Sequence, residues 1–289
     1  MRLSFFLVTI LLTAKLFATS LPQEVPNYYG SEFASRYTAK NIQNEELRNL
    51  LFTIVSSGHI QSENAADQIV PGCDSANTKC EQHRPLGYDS ARTKLFGELF
   101  LQQLADGKYG VRDVYCDHMF TDADFGGVPS IGPGMLPKQG NIVNTEHTWP
   151  QARFTGRFPR ETQKSDLHHL FPTDSQANSH RGSLHFGFIV DEMEPQKCKG
   201  NKLGRGRDGI VSYEVPDAQK GNAARAIFYF ATRYQMKVSP AEEAALRDWH
   251  KLDPVDEAEL DRNNKIEKLQ GNRNPYIDMP DLVDRIDHF

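Results

Sequence analysis

Beyond its first twenty residues, the sequence contains no apolar run long enough to cross a lipid bilayer, so a body without membrane spans is expected. It also lacks an excess of positive charge, because 33 Lys and Arg residues are opposed by 38 Asp and Glu residues. The composition therefore does not give the basic surface typical of a tight nucleic-acid-binding protein. Internal repeats and Pro- or Ser-rich linkers are missing as well, which favours a single domain among the 289 residues.

One apolar run stands at the N-terminus and has the anatomy of a secretory signal. Arg2 supplies a positive charge, residues 5–14 are mostly apolar, and small residues follow at Ala18 and Ser20. The run is short for a transmembrane helix, and a buried N-terminal helix is the alternative interpretation. We expect residues 1–20 to be a signal peptide and the mature chain to be soluble, either secreted or periplasmic.

Cysteine is scarce, with only four residues in the chain, at positions Cys73, Cys80, Cys116 and Cys198. An even number in an exported chain indicates two disulfides, although four cysteines permit three pairings. The close pair is expected to close a small loop between positions 73 and 80, which leaves positions 116 and 198 to clamp a region between them. A zinc site is the alternative, but the spacings do not form two CxxC knuckles.

The apolar periodicity predicts an α+β chain that is mainly helical with a few short strands. Helices are predicted from Asn44 to about Ser56, from Asn222 to about Tyr234, and over segments near 240–251 and 255–269. Short strands are predicted from Val111 to Cys116 and at Ile142 and Val143. Thr173 or Asp174 is expected to cap a helix that carries Asn178.

The residues that point to chemistry lie between positions 144 and 187. Glu146 stands beside His147, and Asn178 follows about thirty residues later. The oxygens of Glu146 and Asn178 suit Mg²⁺, which prefers hard ligands and often takes only one or two from the protein. His147 can take a proton from water near neutral pH, and the backbone must turn after Glu146 if both side chains are to serve one site. Together these groups suit hydrolysis of a phosphodiester.

Each of these residues also has a plain structural interpretation. A Glu-His pair is most often surface decoration, an Asn-Ser pair is most often a turn or cap, and paired histidines are usually divided between core and solvent. Bases outnumber acids between Trp149 and Arg207, while acids outnumber bases from Glu214 onward, and a mixed solvated surface accounts for this equally well. The hypothesis therefore depends on the joint order of the residues.

In that joint order the chain resembles the endonuclease I family of secreted and periplasmic bacterial nucleases, which belong to the ββα-metal (His-metal finger) group. The resemblance runs from about residue 85 to 285 and rests on several ordered blocks. The blocks are Tyr88–Arg92, Val114–Cys116, Glu146–Gln151, Ser165–Pro172, Asn178–Gly182, Phe186–Gly187, Ala224–Phe230, Trp249 with Asp253–Val255, and Gln270–Pro275. It implies a single α+β domain around a ββα-metal finger over residues 85–289, preceded by an N-terminal extension over residues 21–84 with a helix and a disulfide loop.

The resemblance also implies roles for individual residues. His147 would be the general base, while Glu146 and Asn178 would hold one Mg²⁺, for which Mn²⁺ or Ca²⁺ could substitute. The family uses an arginine after the Glu-His motif to hold the scissile phosphate. Arg157 and Arg160 both remain candidates, and Arg181 is a further candidate for a phosphate contact. Asp166 and His168 would hold the catalytic and metal-binding residues in position without contacting the substrate. His169 stands where some relatives have Asn.

The expected activity is endonucleolytic cleavage of DNA, and of RNA as well, by a monomer that leaves 5′-phosphates. Sequence preference should be slight, because phosphate contacts carry no sequence information. Two other hypotheses remain. One is a zinc hydrolase that uses His168, His169, His180 or His185, although the chain lacks an HExxH pair. The other is an exported nucleic-acid-binding or adhesion protein with a dead site.

Overall fold

The computed structural model describes residues 25–74, 76–138 and 141–289. The predicted signal peptide at residues 1–20 lies outside these ranges. Within them, no helix has both the length and the apolar character that a bilayer crossing needs.

The described chain is α+β, as predicted, with helices of very unequal length. The α-helices are α1 (Gly30–Thr38), α2 (Asn44–Ser56), α3 (Tyr88–Lys94), α4 (Arg160–Lys164), α5 (Ser175–Arg181), α6 (Asp217–Arg233), α7 (Pro240–Leu252), α8 (Glu257–Gln270) and α9 (Pro275–Asp278). The predicted bounds of α2 are confirmed. Helix α6 begins five residues before the predicted Asn222, because Pro216 with ψ of 152° directs the chain into the helix there.

Helix α6 forms the centre of the main hydrophobic core. Nearly all of its residues from Gln219 to Arg233 are buried, and helices α2, α7 and α9 pack around it. Ile227, Phe228 and Phe230 are fully buried in this core. Because this helix is buried on nearly every side, its polar side chains need partners inside the protein, and Arg225, for example, pairs with Glu259 at 2.6 Å.

The strands form four small sheets. The strands are β1 (Gly58–Ile60), β2 (Gln68–Val70), β3 (Cys80–Gln82), β4 (Leu101–Gln103), β5 (Tyr109–Arg112), β6 (Met119–Phe120), β7 (Val143–His147), β8 (Leu170–Asp174), β9 (His185–Phe186), β10 (Asp191–Glu194), β11 (Lys202–Arg205) and β12 (Val211–Glu214). The sheet orders are β2-β1-β3, β4-β5-β6, β7-β8 and β10-β11-β12-β9.

The predicted strand into Cys116 is wrong in its position. Strand β5 ends at Arg112, and the next residue, Asp113, accepts hydrogen bonds from the backbone N–H groups of Tyr115, Cys116 and His118. A carboxylate that satisfies three local amides competes with strand pairing and turns the chain. This turn places Tyr115 where its hydroxyl reaches a different sheet.

The residues before position 73 share the main core with the rest of the chain. Phe33, Leu47 and Leu51 belong to the same buried cluster as α6. The Tyr29 hydroxyl donates to Asp278 at 2.5 Å, and strand β1 pairs with both β2 and β3. Residues 25–72 therefore pack as part of the body.

Two disulfides join Cys73 to Cys80 and Cys116 to Cys198. Both predicted pairings are confirmed. The second disulfide ties the turn after β5 to the loop before β11, on either side of the β7–β8 hairpin in sequence.

Candidate active site

The β7–β8 hairpin and helix α5 bring the backbone of Glu146, His147 and Asn178 into one region of the fold. Glu146 and His147 are the last two residues of β7, and they lie opposite Phe171 and Leu170 of β8. Helix α5 follows β8 directly, because the Asp174 carboxylate accepts hydrogen bonds from the N–H groups of residues 176 and 177 and caps the helix. The Asn178 amide nitrogen lies 3.4 Å from the carbonyl oxygen of Thr145, which places Asn178 against the end of β7.

Glu146 is buried in a polar pocket with two neighbours. Its Oε1 accepts a hydrogen bond of 2.8 Å from the Tyr115 hydroxyl and lies 3.3 Å from the Arg181 guanidinium. Burial raises the pKa of this carboxyl, whereas Arg181 and Tyr115 oppose that effect. Its Oε2 makes no hydrogen bond or ion pair with the described residues. This oxygen is therefore free to bind a cation.

His147 is oriented by a backbone oxygen. Its Nε2 lies 3.1 Å from the carbonyl oxygen of Lys164, and because a carbonyl only accepts, Nε2 carries the proton. Nδ1 then holds the lone pair, and its hydrogen-bonding neighbour is the Gln151 amide nitrogen, at 3.5 Å. Burial lowers the pKa of His147 well below its usual value, and neighbouring His169 adds to this effect. The imidazole is therefore neutral at neutral pH and its Nδ1 can accept a proton.

Asn178 is half-buried on the first turns of α5. Its amide nitrogen faces the Thr145 carbonyl, so its side-chain oxygen points elsewhere. That oxygen has no hydrogen-bond donor among the residues described. One free carboxylate oxygen and one free amide oxygen match the donors that a hard divalent cation accepts, and they fit the Mg²⁺ that the sequence predicts.

The two candidate phosphate-binding arginines differ in their surroundings. Both are exposed, but only Arg160 contacts the site. Its guanidinium lies 3.3 Å from the Gln151 side-chain oxygen and over the Phe154 ring, 5.4 Å from the ring centre. The Arg157 side chain has no hydrogen bond or ion pair to the described residues. Because Gln151 also neighbours His147, the geometry favours Arg160.

Arg181 lies in a different environment from the one expected of a phosphate contact. Its side chain is only 1% exposed. Nη1 donates to the carbonyl oxygens of His147 and Gly182 at 3.1 and 3.2 Å, and Nη2 donates to that of Thr148 at 2.6 Å. With the Glu146 contact, these bonds engage both terminal nitrogens. Arg181 therefore supports the end of β7 from inside the protein.

Asp166, His168 and His169 form a buried layer next to the site. The Asp166 carboxylate accepts hydrogen bonds from the hydroxyls of Tyr229 and Tyr234, and neighbouring histidines hold its pKa well below the usual range despite the opposing effect of burial. His168 Nε2 lies 3.1 Å from the carbonyl oxygen of Asn272. Neither residue has a hydrogen bond to Glu146, His147 or Asn178. Of the three, His169 lies against the site, with its ring centre 5.3 Å from that of His147.

The zinc alternative finds no shared site among its four histidines. His168 and His169 bond separate backbone carbonyls, while His180 Nδ1 lies 2.8 Å from Gln196 and His185 Nδ1 lies 2.6 Å from Glu242. Within the described ranges, the one grouping with metal-ligand spacing consists of Cys116, Asp174 and Cys198, whose two cysteines are bonded to each other.

Several residues of the site could not be assigned roles from the sequence. Tyr115 donates a hydrogen bond to Glu146, and the Gln151 amide faces His147. The Lys164 carbonyl orients the imidazole, and the Tyr88 ring centre lies 5.4 Å from that of His147. Tyr88, Tyr115 and Gln151 do occur in the blocks that carry the family resemblance, which is the one signal that marks them.

The turn after β7 is fixed by a buried carboxylate. Glu242 of α7 is fully buried and accepts hydrogen bonds from Arg153 at 2.9 Å and His185 at 2.6 Å. Arg153 in turn lies over the Trp149 ring. Burial alone would raise the pKa of Glu242, but the bonds from His185 and Arg153 outweigh it and lower the pKa to about 2.

Replacing Glu242 with Gln should destabilise the protein in a pH-dependent way. A lowered folded-state pKa stabilises the protein above the unfolded value near 4.5, and this contribution is lost as the pH falls toward about 2. We expect a loss of about 3 kcal/mol at pH 7 that shrinks between about pH 4.5 and pH 2. Urea unfolding of the wild type and the variant across this range measures it. Exposed Glu257→Gln is the control, and a loss that does not change with pH would contradict the assignment.

Comparison with known proteins finds similarity to a nuclease family and to named nucleases. The family model described as Endonuclease I matches residues 74–281. An "Extracellular ribonuclease" of Bacillus subtilis is 37% identical over 50% of this chain and 53% of its own length. An "Extracellular deoxyribonuclease" of Aeromonas hydrophila is 28% identical, over 40% of this chain and 49% of its own. An "Endonuclease-1" of Buchnera aphidicola is 29% identical, over 39% of this chain and 44% of its own. The chain thus spans about half the length of each of these three relatives.

Proposed function

This chain belongs to the endonuclease I family, and on that premise we propose that it is an exported, divalent-metal-dependent nuclease that hydrolyses phosphodiester bonds within DNA and RNA. The single observation that carries the proposal is the arrangement at the end of β7. There, Glu146 and Asn178 each have one side-chain oxygen without a partner among the described residues, and His147, the residue after Glu146, has a neutral imidazole whose Nδ1 contacts the Gln151 amide at 3.5 Å.

Each residue has a task in this reaction. His147 accepts a proton at Nδ1 from the attacking water, while the Lys164 carbonyl holds the proton on Nε2 and fixes the ring. Arg160, which is exposed and held beside Gln151, binds the phosphate that is cleaved. Arg181 neutralises part of the charge on Glu146 and holds the backbone of residues 147 and 148 in place.

Glu146 and Asn178 are the residues that would hold the metal ion, and we propose Mg²⁺. When bound, this ion would stabilise negative charge on the phosphate and the leaving oxygen. Burial raises the pKa of Glu146, because a negative charge is costly in this buried pocket. A bound cation offsets this cost and favours the ionised carboxylate.

The substrate class follows from the groups that contact it. The side chains facing the site are a cation, an amide and aromatic rings, and they suit the backbone that all nucleic acids share. The relatives are named for both ribonuclease and deoxyribonuclease activity, and their names place them outside the cell or in the periplasm. We propose the same location for this chain, a monomeric state, and cleavage that leaves 5′-phosphates.

The test is incubation of the purified protein with supercoiled plasmid, linear DNA and RNA, with Mg²⁺ or with EDTA. Nicking and linearisation with Mg²⁺, and none with EDTA, are expected, and end-labelling identifies the 5′-phosphate. Zinc bound stoichiometrically, with no gain from Mg²⁺, would favour the zinc hydrolase. Binding without cleavage under every condition would favour a dead site.

The variant Asn178→Ala tests whether this residue is a ligand of the metal ion. Because the variant removes one of two oxygen ligands, more Mg²⁺ is needed for half-maximal rate, and the maximal rate falls as well. Asn49→Ala on the exposed face of α2 is the matched control. An unchanged Mg²⁺ requirement in Asn178→Ala would remove this residue from the metal site.

A further inference from the structure

A cluster of one aromatic and two cationic side chains lies against His147 and has no role in the scheme above. It consists of Tyr88, Arg92 and Lys164, and we call it the Tyr88 cluster. The Lys164 ammonium lies 4.0 Å from the centre of the Tyr88 ring, and the Arg92 guanidinium carbon lies 5.4 Å from the same centre. The same ring lies 5.4 Å from that of His147.

Tyr88 is fixed from two sides. Its hydroxyl lies beside the side chain of Thr145, one residue before Glu146. Its backbone N–H donates to the Glu161 carboxylate at 2.6 Å, which ties the start of α3 to α4. The ring is therefore a rigid support between the strand that carries Glu146 and the helix that ends at Lys164.

The two cations are available to an anion. The Lys164 ammonium forms no ion pair with any described carboxylate. Arg92 pairs with Asp89 at 3.1 Å, but the Asp89 side chain is 87% exposed, and exposed pairs of this kind contribute little. The Arg92 Nε is buried and has no hydrogen-bond partner among the residues that the structure describes. Glu161, the other nearby acid, is engaged with the Tyr88 amide.

We propose that the Tyr88 cluster is a binding subsite for a backbone phosphate beside the scissile one, with Lys164 as the contacting residue. This inference rests on the proposed nuclease function. The Lys164 ammonium lies 4.0 Å from the Tyr88 ring centre, which lies 5.4 Å from the His147 ring centre. The distance from the ammonium to the imidazole cannot exceed the sum of these two distances. A strand advances ~3.4 Å along the duplex axis per phosphate, so this reach corresponds to about one to three nucleotides.

The chemistry favours a phosphate over a base. The Tyr88 ring already interacts with two cations, so it serves to place charge near the site. Phosphates are the recurring anions of any strand that passes His147. A subsite of this kind makes the enzyme depend on substrate length and leaves it indifferent to sequence.

The experiment compares KM for a single-stranded oligonucleotide with KM for a minimal diester, bis(p-nitrophenyl) phosphate, in the full chain with Mg²⁺. Lys164→Gln leaves the carbonyl that orients His147 in place and removes only the charge. We expect KM to rise about fivefold to tenfold more for the oligonucleotide than for the diester. The slope of log KM against log salt for the oligonucleotide should fall by about 0.7, the value for one phosphate contact on a single strand.

Two further variants make the result decisive. Lys164→Arg keeps the charge and should restore most of the oligonucleotide KM. Lys237→Gln removes the same charge at an exposed position and should leave the salt slope unchanged. A Lys164→Gln variant that affects both substrates equally, or keeps the wild-type slope, would overturn the subsite while the nuclease function stands. A wild type that cuts neither substrate would instead overturn the proposed function itself.

Discussion

Replacing His147 with Ala should lower the rate of phosphodiester cleavage by about 10³-fold, within the ~10²–10⁴ that a positioned general base contributes. The reason is geometric. The Lys164 carbonyl keeps the proton of His147 on Nε2, so Nδ1 is the atom that accepts a proton from water in the proposed reaction. The loss should appear in kcat with little change in KM for the oligonucleotide, because the imidazole does not hold the phosphate.

The fold should survive this change. His147 is 7% exposed at the edge of the core, and its loss leaves the Arg181 bonds and the disulfides intact. Thermal unfolding of His147→Ala and of the bulkier His147→Gln separates loss of chemistry from loss of structure. His288→Ala, at a side chain that is 84% exposed, is the control. Near-normal kcat in a folded His147→Ala protein would remove this residue from the base role.

Arg181→Ala should destabilise the protein by about 3–5 kcal/mol. Breaking a buried pair by removing one partner costs this much, because the other charge stays buried without compensation. Here the variant leaves Glu146 beside Tyr115 alone and removes the donor to the carbonyls of His147 and Thr148. Cleavage should fall with stability, since the same bonds hold the end of β7.

Denaturant unfolding and the salt dependence of KM together distinguish support from phosphate binding. If Arg181 contacted a phosphate, Arg181→Ala would raise KM and reduce the slope of log KM against log salt. The free energy of unfolding would then stay unchanged. Arg207→Ala, at an exposed arginine, is the matched control. An Arg181→Ala protein with wild-type stability and a reduced salt slope of KM would show that Arg181 contacts a phosphate, as the sequence predicts.

The features that are predicted correctly from the sequence depend mostly on residues that lie close together along the chain. The pairings of all four cysteines are confirmed, and Asn178 lies against the strand that carries Glu146 and His147. This arrangement depends on a short hairpin and the helix that follows it, and such local units leave clear signals in the sequence. The helix bounds are likewise predicted best where apolar residues repeat, as in α2.

Contacts between distant segments account for what the sequence could not provide. The burial of Arg181 depends on how α5 packs across β7, and no pattern at positions 178–182 separates a buried arginine from an exposed one. The Tyr115 contact with Glu146 depends on the turn that Asp113 makes. In the same way, the packing of residues 25–72 depends on the face that α6 presents to α2.

The acceptor that orients His147 is a main-chain oxygen, that of Lys164. A substitution at position 164 changes the side chain but cannot delete this oxygen, so the tautomer of His147 is protected against most point mutations there. Position 164 is thereby free to diverge in charge between related enzymes without loss of the proton acceptor. Substitutions at this position can therefore change how strongly the nucleic-acid strand binds without changing the orientation of His147.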